Sequence, residues 1–247
     1  MSLRRSVLNT KPKIALINGS PRKYGSSYKL LYVASRGVVD AGGEYVWIDL
    51  YDYRIKECFG CVSDDQSVCR YPCIIDDDDF NKLAKNILET HGFIISTPVY
   101  WYSVPGLLKN FIDRLTSFEN MIFHKGRSLL EGKVSGFIAV GADSGCITTI
   151  SHLMVVFNSM GVHIPPWALA YSYKGDDALE DEQAVRDSYN VGYIVARAAS
   201  ILANNEWYNP NVNVEKLVKE TENTVVKLYN NKLDRLEIYK NKLKTII

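Results

Sequence analysis

Apolar runs of strand length alternate along this chain with longer stretches of helical periodicity, the rhythm of repeated βαβ units around a parallel sheet. The run Lys13 to Asn18, KIALIN, is apolar at consecutive positions, as in a strand buried on both faces. Gly19 to Gly25 reads as a turn, and a helix follows to about Asp40, where Gly42 and Gly43 end it. Glu44 to Leu50 is a second strand. Tyr51 to Ile75 is irregular. Phe80 to Glu89 is helical, Gly92 closes that helix, and Phe93 to Thr97 is a third strand. Val104 to Phe118 reads as a helix, Val134 to Val140 as a strand and Gly145 to Met160 as a helix. A fifth strand falls near His163 to Tyr171, interrupted by Pro165 and Pro166, and Glu182 to Asn204 is the fifth helix of the series.

Five strands in this order predict an α/β fold: a flavodoxin-like, doubly wound five-stranded parallel sheet of order 2-1-3-4-5. Residues 1–12 are then an N-terminal tail and 13–205 the α/β domain. Asn209-Pro210-Asn211 breaks the pattern, and 206–247 is a C-terminal extension. From Val214 it reads as one amphipathic helix, with apolar residues at Val214, Leu217, Val218, Val225, Leu228, Leu236 and Leu243. A helix of about 30 residues is roughly 45 Å long, more than a domain of this size covers alone. The expected assembly is therefore a homodimer or homotetramer.

Composition narrows the function classes. The 247 residues carry 29 basic and 28 acidic side chains, so no electrostatic argument favours nucleic acid. No apolar run reaches the roughly 18 residues of a membrane span. Arg4 and Arg5 are not followed by a signal-peptide core. A cytoplasmic protein with neither nucleic-acid nor membrane partners is the expectation.

In a doubly wound sheet the ligand sits at the carboxyl ends of the strands, beside the switch point between strands 1 and 3. Three loops fall there. The first is Gly19-Ser20-Pro21-Arg22-Lys23-Tyr24-Gly25-Ser26-Ser27. It follows a strand and opens a helix, so its N–H groups and the helix dipole favour an anion. Ser20, Ser26 and Ser27 add hydroxyls, and Arg22 adds charge. The spacing matches neither the Walker A loop nor the dinucleotide fingerprint G-x-G-x-x-G. It reads as a cradle for one terminal phosphate; the bland alternative is a βα turn with capping serines. The second loop, Thr97 to Gly106, holds Pro98, Val99 and three consecutive aromatics, Tyr100, Trp101 and Tyr102. They suit a planar ring, a packing loop or a subunit contact. The third loop, Gly141-Ala142-Asp143-Ser144-Gly145-Cys146, has glycines that admit a ligand to the backbone, or simply make a turn.

GSPRKYGSS resembles the GSPR-x-x-G-[NS]-[ST] loop of the NADPH-dependent FMN reductase family, which includes iron–sulfur flavoproteins. PVYW followed by PGLLKNFIDR is similar to the same family, and the resemblance runs from about Ile14 to Ser200. It implies that Ser20, Arg22, Ser26 and Ser27 hold the FMN phosphate. It further implies that Pro98, Val99, Tyr100, Trp101 and Tyr102 border the isoalloxazine, and that Gly141, Asp143 and Gly145 contact the flavin. The activity it implies is an NAD(P)H-dependent oxidoreductase that passes electrons from a nicotinamide through FMN to a small acceptor: a flavin, a quinone or a metal ion. No catalytic side chain is required, because the cofactor carries the chemistry. The alternatives are a non-catalytic FMN electron carrier, with or without an iron–sulfur centre, and a flavin-free module of the same fold.

Four of the five cysteines cluster as Cys58-x2-Cys61-x7-Cys69-x3-Cys73. Four thiolates bind a [4Fe–4S] cluster or a structural Zn2+; redox disulfides and free thiols are the other readings. Iron–sulfur flavoproteins carry a compact C-x2-C-x2-C run, and this chain has Asp64 at the third position. The acidic run Asp76 to Asp79 precedes a helix and reads as its cap, not as a metal site. His91, His124, His152 and His163 show no ligand spacing.

Overall fold

A computed structural model describes residues 11–174, 177–203, 205–209, 211–230 and 240. Its strands are β1 (Lys13–Asn18), β2 (Glu44–Asp49), β3 (Gly92–Pro98), β4 (Val134–Val140) and β5 (Leu169–Ser172). Its helices are α1 (Ser26–Asp40), α2 (Cys61–Asp64), α3 (Phe80–Leu88), α4 (Gly106–Arg114), α5 (Thr116–Glu119), α6 (Met121–Lys125), α7 (Cys146–Ser159), α8 (Glu182–Leu202) and α9 (Val214–Asn230). The strands form one parallel sheet in the order β2-β1-β3-β4-β5, as the alternation of elements predicts.

Strand side chains alternate between two faces, and each face feeds its own core. Ala15 and Ile17 of β1, Phe93 and Ile95 of β3 and Phe137 of β4 pack with Phe111 of α4 and Phe157 of α7. Ile14 and Leu16 of β1, Ile94 of β3 and Ile138 of β4 pack with Leu30 and Leu31 of α1 and Val191 and Val195 of α8. The second layer is unusually tight, because α1 and α8 meet backbone to backbone. A Cβ on Gly37 would collide with the Tyr189 carbonyl, and one on Gly192 with the Ala34 carbonyl.

Three elements differ from expectation. The helix expected over Val104 to Phe118 begins at Gly106, after Pro105 has excluded Val104 from the helical region. It is then broken at Leu115, whose N–H is shared between the Phe111 and Ile112 carbonyls, into α4 and α5. β5 is displaced to Leu169–Ser172, because Pro165 and Pro166 cannot donate to a ladder and Trp167 turns the chain at φ 59°. Within the stretch read as irregular, Cys61–Asp64 forms one helical turn.

The chain divides into two compact units, one ending at Tyr208 and one beginning at Asn209. Residues 206–208 thus belong with the α/β unit: Trp207 and Tyr208 N–H groups donate to the Glu131 carboxylate at 2.6 and 2.7 Å. The second unit contains α9, on which Val214, Leu217 and Val218 are exposed. Of the apolar positions expected on this helix, Leu236 and Leu243 lie outside the described residues, as do residues 1–10 of the expected N-terminal tail and Asn204. Among the described residues no helix is long and apolar enough to cross a membrane.

Candidate flavin site

β1 delivers the first loop. Asn18, the last residue of the strand, is fully buried. Its Oδ1 accepts from Ser20 N–H at 3.2 Å, and its Nδ2 donates to Asp49 of β2 at 2.8 Å. Ser20 Oγ accepts from Arg22 N–H at 3.1 Å, and Gly25 N–H returns to the Arg22 carbonyl at 3.3 Å. α1 starts with Gly25 as its cap, no side chain satisfies its first turn, and no acidic residue lies there. The first-turn N–H groups therefore point outward unpaired, at the positive end of the helix dipole. The Ser27 carbonyl accepts from Ser96 Oγ of β3 at 2.7 Å, which pins this helix end to the central strand. Arg22 is exposed and makes no ion pair among the described residues.

β3 delivers the aromatic loop. Tyr100 and Ser103 exchange backbone hydrogen bonds of 2.8 and 3.1 Å across Trp101 and Tyr102. Those two residues have φ of 51° and 62°, the signature of a type I′ turn. Bulky residues seldom sit there, and the consequence is that Trp101 projects into solvent, 95% exposed. β4 delivers the third loop. Gly145, at φ 84°, lies under the aromatic loop, and a Cβ there would stand 2.9 Å from Val99 Cγ1 and 3.1 Å from Tyr102 Cδ1. Ser144 Oγ donates to Asp143 Oδ1 at 3.2 Å and also lies 3.4 Å from the Tyr102 hydroxyl.

The three loops converge on one open cleft of about 250 Å3, lined from the first loop by Ser20, Arg22, Gly25, Ser26 and Ser27. Pro98, Val99 and Tyr100 contribute the second wall, and Val140, Gly141 and Ala142 the third. Of the residues expected here, Trp101, Tyr102, Asp143 and Gly145 are not among those lining the cleft; Gly145 lies against Val99 and Tyr102, and Trp101 stands in solvent. Asn18 and Ser96 were not singled out in the sequence, since one buried Asn or Ser at a strand end carries no motif. A larger hollow of about 500 Å3, lined by Trp167, Leu169, Asp187, Asn190 and Ile194, opens at the amino end of β5. That is the opposite end of a parallel sheet from the three loops.

The cysteine loop is ordered by clamps from distant elements. Asn120 Nδ2 donates to the Gln66 and Cys69 carbonyls at 2.8 and 2.6 Å, and His124 Nε2 lies 3.0 Å from the Cys69 carbonyl. Asn81 brackets Cys73, accepting from its N–H at 2.8 Å and donating to its carbonyl at 2.9 Å. Arg114 is buried beneath the loop and pairs with Asp78 at 2.7 Å, with both side chains fully out of solvent. Burial, with Cys61 next in effect, pushes the Cys69 thiol up to about 12. All five cysteines are free, and among the described residues no three His, Cys, Asp or Glu side chains form a group able to hold a metal ion. Cys58, Cys61 and Cys73 all act on the Cys69 thiol, so the four cysteines of this loop lie near one another. The acidic run divides its labour: Asp78 accepts from the N–H of Phe80, the first residue of α3, at 3.0 Å, Asp79 accepts from Arg54 N–H at 2.9 Å, and Asp77 pairs with Lys56.

Comparison with known proteins agrees with this geometry. An iron-sulfur flavoprotein of Archaeoglobus fulgidus is 32% identical over 129 residues, 52% of this chain and 54% of that protein, so the match spans about half of the relative. YwqN of Bacillus subtilis, named provisionally as an NAD(P)H-dependent FMN-containing oxidoreductase, is 28% identical over 70% of this chain and 92% of its own. Among solved structures, RosB with bound 8-demethyl-8-formylriboflavin-5'-phosphate shares the fold at TM-score 0.66 and 16% identity, over 86% of this chain and 87% of that one. The family model for NADPH-dependent FMN reductase matches residues 12–176, the stretch that contains every strand and all three loops, and the chain belongs to that family.

Proposed function

We propose that this protein is an FMN-containing oxidoreductase that takes electrons from a reduced nicotinamide and passes them to a small acceptor such as a flavin, a quinone or a metal ion. The observation that carries this reading is the convergence of loops from β1, β3 and β4 into one cleft at the switch point of the sheet. When bound, FMN supplies the redox chemistry, accepting hydride equivalents and releasing electrons. The chain's own part is to bind and orient. Open first-turn N–H groups, the hydroxyls of Ser20, Ser26 and Ser27, and the Arg22 guanidinium suit a terminal phosphate. Pro98, Val99 and Tyr100 offer an apolar shelf for a planar ring, and Gly141 with Ala142 gives close backbone approach. Trp101 and Tyr102 border the mouth through which donor and acceptor enter in turn, while Asp143 and Gly145 hold that rim in place. No step is assigned to Cys58, Cys61, Cys69 or Cys73. The exposed Val214, Leu217 and Val218 of α9 support a homodimer or homotetramer.

The test is the visible spectrum of the purified protein under anaerobic conditions, before and after NADH or NADPH is added. Flavin bands that bleach on addition, with FMN released on denaturation, are the expected result. Protein that neither carries nor takes up FMN overturns the reading. Flavin bands that no nicotinamide bleaches assign the protein to electron carriage instead.

A further inference from the structure

Tyr28 and Tyr32 lie on one face of α1, and the preceding loop adds Tyr24 four residues earlier. The helical spacing sets Tyr28 and Tyr32 on one side of α1, and the turn brings Tyr24 against Tyr28. With Lys29, Val33 and Leu179 they line a recess of about 330 Å3. Tyr24 meets Tyr28 edge-on with centroids 5.1 Å apart, and Tyr28 leans on Trp47 of β2 at 4.5 Å. Tyr24 and Tyr32 nevertheless remain 70% and 52% exposed. Tyr24 is held at φ 65°, a region that glycine or asparagine occupies easily and a bulky L residue rarely does. Core packing does not use its ring, which stands over the recess.

We propose that this recess seats the adenine ring of the NAD(P)H donor, an inference that rests on the oxidoreductase reading above. Three observations select this occupant. Tyr24 lies in the chain between Arg22 and Gly25, which line the phosphate cleft, so one wall of loop divides recess from cleft. The lining is almost wholly aromatic and aliphatic, a surface that takes a planar base by stacking. Lys29, the cation in that lining, is tied to Asp177 at 2.7 Å, so the lining suits a neutral base and not a phosphate.

The decisive comparison is between the donor and reduced nicotinamide mononucleotide, which lacks the adenylate half. Tyr24→Asn deletes the ring but keeps a residue that tolerates positive φ, and Tyr32→Ala deletes the far wall. In the FMN-loaded double variant, KM for the preferred dinucleotide should rise about tenfold, the worth of one base–aromatic stack. kcat, and KM for the mononucleotide, should stay at wild-type values. Saturation-transfer NMR with AMP supplies a readout independent of turnover: its adenine protons should receive saturation from the wild type and lose it in the variant. Equal effects on both donors, or no effect on either, overturn the assignment. So does AMP that receives no saturation from the wild type, or a protein whose bound flavin is FAD with its own adenine in the recess. Failure of either nicotinamide to reduce the flavin refutes the oxidoreductase reading instead, and the AMP measurement still decides whether the recess takes adenine.

Discussion

The phosphate loop and the cysteine loop both leave the carboxyl end of a strand, β1 and β2, and they are built in opposite ways. The phosphate loop is shaped by near neighbours: Ser20 bonds to Asn18, Arg22 to Ser20 and Gly25 to Arg22. Its first-turn donors are left free. The cysteine loop is shaped by residues far along the chain, with Asn120 and His124 on Cys69 and Arg114 reaching the Lys56 and Ile75 carbonyls at 3.3 and 2.9 Å. The backbone carbonyls of Gln66, Cys69, Cys73 and Ile75 are taken up by these distant side chains. A loop of the first kind has capacity left for a ligand; a loop of the second kind spends its capacity on the fold.

The largest expected effect comes from breaking the second loop's anchor. Asp78→Asn leaves the Arg114 guanidinium buried without its counter-charge, a loss of about 3–5 kcal/mol. It should appear as a lower urea midpoint, with FMN affinity of the folded fraction unchanged. The sign of the pH dependence follows. Burial pushes the Asp78 carboxyl up, but hydrogen bonds from Arg114 and from the Lys56 and Phe80 N–H groups outweigh it and hold the pKa below its ordinary 3.8. A depressed carboxyl gives stability that is complete above the unfolded value and lost as the pH falls through the folded one. Wild type should therefore lose stability steeply below pH 3.8, and Asp78→Asn should lack that component. A variant with an unchanged midpoint would break the contrast between the loops.

Ser20→Ala with Arg22→Ala sharpens the other side. Charge-assisted phosphate contacts are worth roughly 1.5–3 kcal/mol, so the FMN dissociation constant should rise about a hundredfold. The urea midpoint of the apoprotein should move little, because the fold loses only the bond from Arg22 N–H to Ser20 Oγ. Unchanged FMN affinity in titration calorimetry would remove the phosphate from this loop. Gly145→Ala is the intermediate case, since it touches both fold and cleft. At φ 84° an alanine is strained by roughly 1–2 kcal/mol, and its Cβ presses on Val99 and Tyr102. Thermal midpoint and FMN affinity should fall together; a change in only one would show that the rim and the cleft are independent. The smallest effect on the cleft belongs to a chain ended after Asn209. Its flavin content should match the full chain, while light scattering should report a lower oligomeric state or aggregation. A full-length protein that scatters as a monomer at micromolar concentration would refute the role given to α9.

The sequence alone was enough for the features whose physics is local. The unbroken apolar run of β1 marks a strand buried on both faces, and the rhythm of strand and helix fixes the sheet order. The consecutive letters of GSPRKYGSS and PVYW place the cleft, because a turn and the helix it opens are determined by residues that are neighbours in the chain. Tertiary structure decided whatever depends on partners far apart in sequence. Leu115 breaks a helix that periodicity alone extends to Phe118, and Pro165 and Pro166 push β5 back to Leu169. The sequence reads Cys58, Cys61, Cys69 and Cys73 as four thiols in one loop; how they stand toward one another depends on Asn81, Arg114 and Asn120, which hold the backbone from behind. The same holds for Asn18 and Ser96, whose side chains acquire a role only when β2 and α1 are brought beside them. Local patterns survive being read one residue at a time, whereas a hydrogen bond that spans fifty residues exists only once the chain has folded.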